Sequence, residues 1–245
     1  MIKIFTVGLL STFDNPLLPF FIKEILKKKF CKVLVICDLK KTSQKDIKIW
    51  LERTNGYFEK KFDNDTKTFV SLNYMRTPFY FVKNHNNRST KLLIKNLSID
   101  VLLNAGTPRK LSKPIINSTY HGIVNIHPGL LPQYRGCSAV EWSIYNNDKV
   151  GNTAHFMSEN YDDGPIIFKE EYDFSKETDY KSIRIKVFEK GCILATKALI
   201  LVKEKKINFK NGTVQDEADA KFWRPIPDEK FKEVIKIVKN KRYLV

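Results

Sequence analysis

Glycine is scarce in this 245-residue chain, ten residues in all, and no Gly-x-Gly-x-x-Gly turn follows the first apolar run, where Gly8 stands alone. A nicotinamide or flavin dinucleotide site needs those glycines so that the backbone can approach a pyrophosphate, so such a site is not expected. The four cysteines, Cys31, Cys37, Cys137 and Cys192, lie far apart, without a Cys-x-x-Cys pair or an adjacent histidine cluster. Neither zinc nor a disulfide framework is indicated, and Cys137 is expected as a small buried hydrophobe. There is no apolar run of membrane-spanning length. Ile4 to Leu10 gives way to Ser11, Thr12, Asp14 and Asn15, which suits a first strand better than a signal peptide and implies a cytoplasmic protein.

Acidic residues are also few, 27 against 43 basic ones, for a net charge of +16. Such a field favours anions and would suit a nucleic acid, but only eight of the basic residues are arginine. Arginine makes the bidentate phosphate and base contacts, and the lysines are scattered (Lys27 to Lys29, Lys40 and Lys41, Lys60 and Lys61, Lys203 to Lys206). The charge therefore reads as a solvated surface that attracts a small diphosphate-bearing substrate, with no nucleic-acid or membrane partner.

What is present is an alternation of apolar runs with helical stripes. Ile2 to Val7, Val33 to Cys37, Phe79 to Val82, Val101 to Asn104 and Ile123 to His127 read as strands. Between them, Leu17, Leu18, Phe21, Ile25 and Leu26 form one helical stripe. A helix capped by Thr42 or Ser43 follows, and another is marked by Leu92, Leu93 and Leu97. This is the pattern of an α/β, Rossmann-like, doubly wound, mostly parallel sheet. A long amphipathic helix over Tyr180 to Lys205 should cover one face. Behind it, residues 207–214 read as a hairpin turning at Asn211-Gly212, followed by an aromatic and basic cluster, Phe222 to Pro227, and a last helix from Asp228 to Lys239. The expected division is a catalytic domain over 1–205 and a hairpin and tail over 206–245. Exposed edges of the hairpin would suit a homodimer.

The most informative segment is Asn125-Ile126-His127-Pro128-Gly129-Leu130-Leu131-Pro132-Gln133-Tyr134-Arg135-Gly136. On an extended strand Asn125 and His127 share one face while Ile126 takes the other. Pro128 and Gly129 should end the strand just after the histidine, at the carboxyl edge where open parallel sheets bind ligands. An amide N–H and an imidazole there can hold an oxyanion and move a proton, which suits carbonyl-group transfer.

This segment, with Thr153-Ala154-His155-Phe156 and Asp162-Asp163-Gly164-Pro165 downstream, resembles the formyltransferases that use N10-formyltetrahydrofolate. The two blocks cover roughly residues 100 to 170. The resemblance implies a catalytic trio of Asn125, His127 and Asp162, with Asp162 preferred to Asp163 by the frame of Phe156 and Gly164-Pro165. It places the folate beside Gly106, Arg109, Lys110, Leu111 and Tyr161, and implies no metal. Formyltransferases acting on methionyl-tRNA carry a long barrel domain behind the catalytic one, for which no room is expected here. Formyltetrahydrofolate hydrolases, also similar in the trio, usually carry a regulatory domain in front.

The short tail and the turn His85-Asn86-Asn87 look like the sugar-nucleotide N-formyltransferases. The implied acceptor is the amine of a 4-amino-4,6-dideoxy sugar, thymidine diphosphate-linked and destined for bacterial surface polysaccharide (O-antigen). Trp223 would then stack a base and Arg224 meet the diphosphate, unless Trp223 only anchors the tail. Glycinamide ribonucleotide is the alternative acceptor; a basic nucleic-acid binder is the non-enzymatic alternative.

Overall fold

A computed structural model describes residues 4–65, 76–240 and 243. Its centre is a seven-stranded sheet of order β3-β2-β1-β4-β5-β7-β8. Strands β1 (Thr6–Thr12), β2 (Lys32–Asp38), β3 (Phe79–Val82), β4 (Val101–Asn104) and β5 (Ile123–His127) run parallel. β7 (Val150–Phe156) and β8 (Ile166–Tyr172) continue the sheet antiparallel. The chain winds outward in one direction from β1 to β3 and in the other from β4, so the crevice falls beyond the carboxyl ends of β1 and β4.

Alternation along the inner strands builds two cores. Val7, Leu9, Val35, Leu103 and Val124 face α1 (Leu18–Lys27) and the long α7 (Tyr180–Lys203). Leu10, Leu34, Ile36 and Leu102 point the other way, onto Ile94 of α4 (Arg88–Asn96) and Ile115 of α5 (Lys113–Ile116). Buried on both faces, β1 is inaccessible along its whole length, Ser11 and Thr12 included. Ser11 Oγ donates to Ala105 O at 2.7 Å, which lets the strand run beyond its apolar stretch. The strand thus begins at Thr6 rather than Ile2, and residues 1–3 lie outside those described.

Several expectations are met at the residue level. Ser43 caps α2 (Gln44–Thr54) by accepting from Asp46 N, and the last helix, α8, spans Asp228–Lys239. α3 (Tyr57–Asp65) was not anticipated. The face of α4 differs from expectation: Thr90 and Ile94 are buried while Leu92 is half exposed. Thr90 Oγ1 bonds Asn84 O at 2.9 Å, and that contact sets the helix rotation instead of the leucines.

The hairpin is corrected as well. Gly212 N closes a turn on Asn208 O, but Thr213 exchanges two backbone hydrogen bonds with Ile166 at the start of β8. Thr213 thus bridges to the start of β8 rather than folding back on residues 207–209. Further on, β9 (Phe222–Trp223) pairs parallel with the short β6 (Arg135–Gly136). Ile226, Val234, Val238 and Tyr243 share a third core with Tyr134, Trp142 of α6 (Ala139–Tyr145) and Tyr180.

Candidate active site

Strand register sets three polar side chains side by side. Asn104 of β4 is opposite Asn125 of β5, which is opposite His155 of β7. His155 Nδ1 faces the Phe156 carbonyl at 2.9 Å, and a carbonyl only accepts, so Nδ1 carries the proton and Nε2 accepts from Asn125 Nδ2 at 2.9 Å. Burial pushes the His155 pKa down to about 4, with the adjacent Asp162 pulling the other way, so this ring is neutral at neutral pH. Asn125 Oδ1 accepts from Asn104 Nδ2 at 2.8 Å, and Asn104 Oδ1 accepts from the backbone of Gly106 and Thr107. The Asn125 amide is thereby oriented, with one of its two N–H groups committed and the other available to a ligand.

His127 ends β5, and Gly129 is what lets the following loop fold against it. A Cβ on Gly129 would lie 2.6 Å from the Ala139 methyl and 2.9 Å from His127 Nε2. Thr153 Oγ1 holds the loop by donating to Gly129 O at 2.7 Å and accepting from Leu131 N at 3.0 Å. Although alternation puts Asn125 and His127 on one face, His127 Nε2–H turns to the Tyr134 carbonyl at 2.5 Å. Nδ1 is then the edge available to the site, 3.5 Å from Asp162 Oδ1. Asp162 Oδ1 also lies 3.7 Å from His155 Nε2, and Oδ2 accepts from Gly136 N at 2.9 Å. Asp163 turns away, accepting from Ser158 and Asn160. Asp162 joins the histidines.

Arg109, Lys110, Leu111 and Tyr161 line a cleft of about 130 Å³ that reaches Asn125, His155 and Asp162. Gly106 lines an adjoining space of about 190 Å³ on the other side of Asn104 and Asn125. Asn15 and Gly106 also line a cleft of about 830 Å³ bounded by Phe13, Trp50, Phe58, Lys40, Lys41 and Pro108. Asn104 and Asn125 line both of the smaller spaces. Lys110 and Tyr161, both lining the small cleft, meet with Lys110 Nζ 5.3 Å from the centre of the Tyr161 ring.

Of the residues that brace this cleft, Asp38 escaped the sequence reading, whereas Arg109 was expected at the folate and the turn His85-Asn86-Asn87 was noted only as a likeness. Arg109 donates to Asp38 from Nε at 2.5 Å and Nη2 at 2.9 Å, and to Lys83 O, so its guanidinium holds the loop in place. Buried His85 bonds Thr107 Oγ1 and Ile36 O, and its backbone N–H meets Asp38. Asn86 takes Lys110 O and Ser112 N. The His85-Asn86-Asn87 turn therefore acts as a buttress for residues 107–112. Burial raises the Asp38 pKa, but the Arg109 guanidinium and two backbone N–H groups outweigh it and hold the carboxyl below its ordinary value. On the folate placement that the resemblance implies, Asp38→Asn is expected to raise KM for N10-formyltetrahydrofolate roughly tenfold with kcat little changed, because a charge-assisted bond of about 1.5 to 3 kcal/mol then no longer orders the loop. Steady-state kinetics against folate concentration would show it, and an unchanged KM would count against the bracing.

Trp223 packs into the chain. Its ring stacks on Tyr134 with centroids 5.7 Å apart, meets Trp142 at 4.5 Å, and donates from Nε1 to Gln133 O at 2.9 Å. Those contacts make it an anchor of the tail. Arg224 is exposed and offers its backbone carbonyl to Trp142 Nε1. Cys137 is exposed rather than buried, since it follows Gly136 out of the short β6 pairing with its N–H on Trp223 O. Among the described residues there is no group of three or more His, Cys, Asp or Glu that would hold a metal, and no helix is long and apolar enough to cross a membrane.

Comparison with known proteins shows the family. Residues 27–199 match the family model described as formyl transferase. A methionyl-tRNA formyltransferase of Clostridium tetani is 30% identical over 138 residues, which is 56% of this chain and 41% of that protein. The chain spans about half the length, or less, of the curated relatives it matches. Glycinamide ribonucleotide transformylase 1 from Symbiobacterium toebii superposes with a TM-score of 0.64 at 17% identity, over 88% of this chain and 95% of its own. A 4-N formyltransferase from Francisella tularensis gives 0.60 at 19%, over 97% and 86%. With more than half of its length matched and the site described above in place, the chain belongs to the formyl transferase family.

Proposed function

We propose that the protein transfers a formyl group from N10-formyltetrahydrofolate to the amine of a nucleotide-linked 4-amino-4,6-dideoxy sugar, thymidine diphosphate-linked. The observation that carries the transfer chemistry is the cross-strand row that orients the Asn125 amide and leaves it an N–H to give. As the amine nitrogen attacks the formyl carbon, that N–H stabilises the carbonyl oxygen as it becomes an oxyanion. Asp162 takes the proton released by the attacking amine, with His127 Nδ1 beside it to share the charge. The proton then passes to folate N10 as its bond to the formyl carbon breaks. No metal takes part in these steps.

The acceptor assignment rests on the large cleft. Its aromatic walls, Phe13, Trp50 and Phe58, suit a nucleobase, and Lys40 and Lys41 at its rim suit a diphosphate. It is also far larger than a simple amine requires. The fold likeness to the Francisella tularensis 4-N formyltransferase extends over 97% of this chain, the tail included.

The test is to incubate the protein with N10-formyltetrahydrofolate and a panel of acceptors: dTDP-linked 4-amino and 3-amino sugars, a UDP-linked 4-amino sugar, glycinamide ribonucleotide and methionyl-tRNA. Mass spectrometry then follows each acceptor. A folate-dependent gain of one formyl group on the dTDP-linked 4-amino sugar is expected. Formylation of glycinamide ribonucleotide or methionyl-tRNA alone would overturn the sugar assignment, and formate release without any formylated acceptor would indicate hydrolysis.

A further inference from the structure

We infer that Gln215 is a positioning residue for Asp162, locked by an Arg135–Glu217 pair, so that a segment outside the family-matched residues completes the catalytic loop. The inference rests on the role given to Asp162 above. Asp162 has a backbone φ of +55°, in the left-handed region that few non-glycine residues other than asparagine and aspartate adopt, so the loop turns sharply at this residue. The loop it sits in is tight. A Cβ at Gly164 would come within 1.9 Å of the Phe156 carbonyl, so the chain doubles back with backbone against backbone.

Gln215 supplies the fixing contacts. Its side-chain amide Nε2 donates to Asp162 O at 2.8 Å and to Gly164 O at 2.8 Å, so both protons of one NH2 group bridge the carbonyls on either side of Asp163. The residue is buried, and its Oε1 accepts from Arg135 Nε at 3.0 Å. Arg135 is in turn held by Glu217, Nη1 to Oε2 at 3.1 Å and Nη2 to Oε1 at 2.7 Å. Arg135 immediately precedes Gly136, whose N–H binds the Asp162 carboxylate. One buried amide thus ties together the two loops that face each other across the site, the one after His127 and the one carrying Asp162.

The anchoring of Gln215 is itself tertiary. Thr213 is fixed on Ile166 by two backbone bonds, and residues 221–223 are fixed on Pro132, Arg135 and Cys137. Residues 213–223 therefore run as a strap from the start of β8 to the signature loop, with Gln215 buried beneath it and the exposed Glu217 reaching back to the Arg135 guanidinium. The family match ends at residue 199, so this strap is a contribution of the tail to chemistry carried by the matched portion.

The experiment compares Gln215→Leu, Gln215→Glu and Glu217→Ala with Asp162→Asn, using the acceptor that the wild type formylates. Gln215→Leu removes both donors at similar volume. Gln215→Glu keeps the acceptor for Arg135 but sets carboxylate oxygen against two carbonyls. Both are expected to lower kcat about 10- to 100-fold with the KM values for folate and acceptor within about threefold, the result of misplacing a proton acceptor without losing a binding contact. Glu217→Ala, at an exposed position that should not compromise folding, is expected to lower kcat about threefold by loosening Arg135.

Hydrogen exchange by mass spectrometry needs no acceptor and reads the loop directly. Peptides spanning 158–165 should exchange about tenfold faster in the Gln215 and Glu217 variants while those of β1 and β4 stay as in wild type. Wild-type kcat in folded Gln215→Leu and Glu217→Ala, with Asp162→Asn inactive, would overturn the strap and leave the Asp162 assignment standing. A rise in KM alone, or unchanged exchange over 158–165, would also overturn it. Wild-type turnover in Asp162→Asn would instead remove the premise.

Discussion

Replacing Asn125 with alanine is expected to lower kcat on the order of a hundredfold or more, from loss of one oxyanion donor worth about 3 to 4 kcal/mol. The KM for folate should change little, because the donor is used as charge develops and hardly at all in the ground state. No neighbour can substitute. His155, next in the row, is neutral with its one N–H on Phe156 O, and His127 has its Nε2–H on Tyr134 O. Asn104 Nδ2, deprived of Asn125 Oδ1, sits one strand away. The fold should survive, since Asn125 is only half buried and the bonds lost are about 1 kcal/mol each. Asn125→Asp should be at least as impaired, because it keeps the acceptor for Asn104 and sets negative charge where the oxyanion forms. Kinetics of both variants, with thermal melting to show that they fold, checks the assignment. Near-normal turnover of Asn125→Ala would remove this residue from the oxyanion role.

Local rules put Asn125 at a strand end beside the crevice, and the resemblance to the formyltransferases supplied its expected role. Alternation gave it a face, Pro128 and Gly129 gave the strand its end, and parallel topology gave that end its function. Its partners were not legible, because Asn104, Asn125 and His155 become neighbours only through the register of three strands that no local signal sets. Gln215 lies 53 residues from Asp162 and carries no periodic or motif signal. The same physics explains the misread hairpin. Asn-Gly does turn the chain, but the free edge of β8 beside Ile166 pairs with Thr213 in preference to a short isolated ribbon. On α4, apolar spacing located the helix, and one threonine hydroxyl seeking a carbonyl chose its face. Trp223 illustrates the converse limit. An aromatic beside an arginine reads alike as a ligand platform or an anchor, and only the rings of Tyr134 and Trp142 distinguish the two.

The largest effect on stability is expected at a residue with no part in the chemistry. Glu141 stands in α6 among apolar residues and is fully buried. Its Oε1 accepts from Arg53 Nη1 at 2.9 Å, Arg184 Nη1 at 2.5 Å and the Tyr180 hydroxyl, tying α2 and α7 to the catalytic loop side of the sheet. Both guanidinium groups are nearly buried, so removing the carboxylate leaves two cations with little solvent to stabilise them. Breaking a buried pair in this way costs about 3 to 5 kcal/mol, against a total of roughly 5 to 15 for a domain, so Glu141→Ala should unfold at markedly lower urea concentration. Burial alone would raise the Glu141 pKa, yet attraction to Arg184 and Arg53 prevails and holds it below its ordinary 4.5. A depressed folded value means that this carboxylate stabilises the native state above the unfolded pKa and loses that contribution as pH falls toward the folded one. The difference in urea midpoint between wild type and Glu141→Ala should therefore be widest at neutral pH and narrow as the solution is made acidic. Equal midpoints at neutral pH would show that the two arginines find other partners, and a gap that widens in acid would reverse the sign argued here.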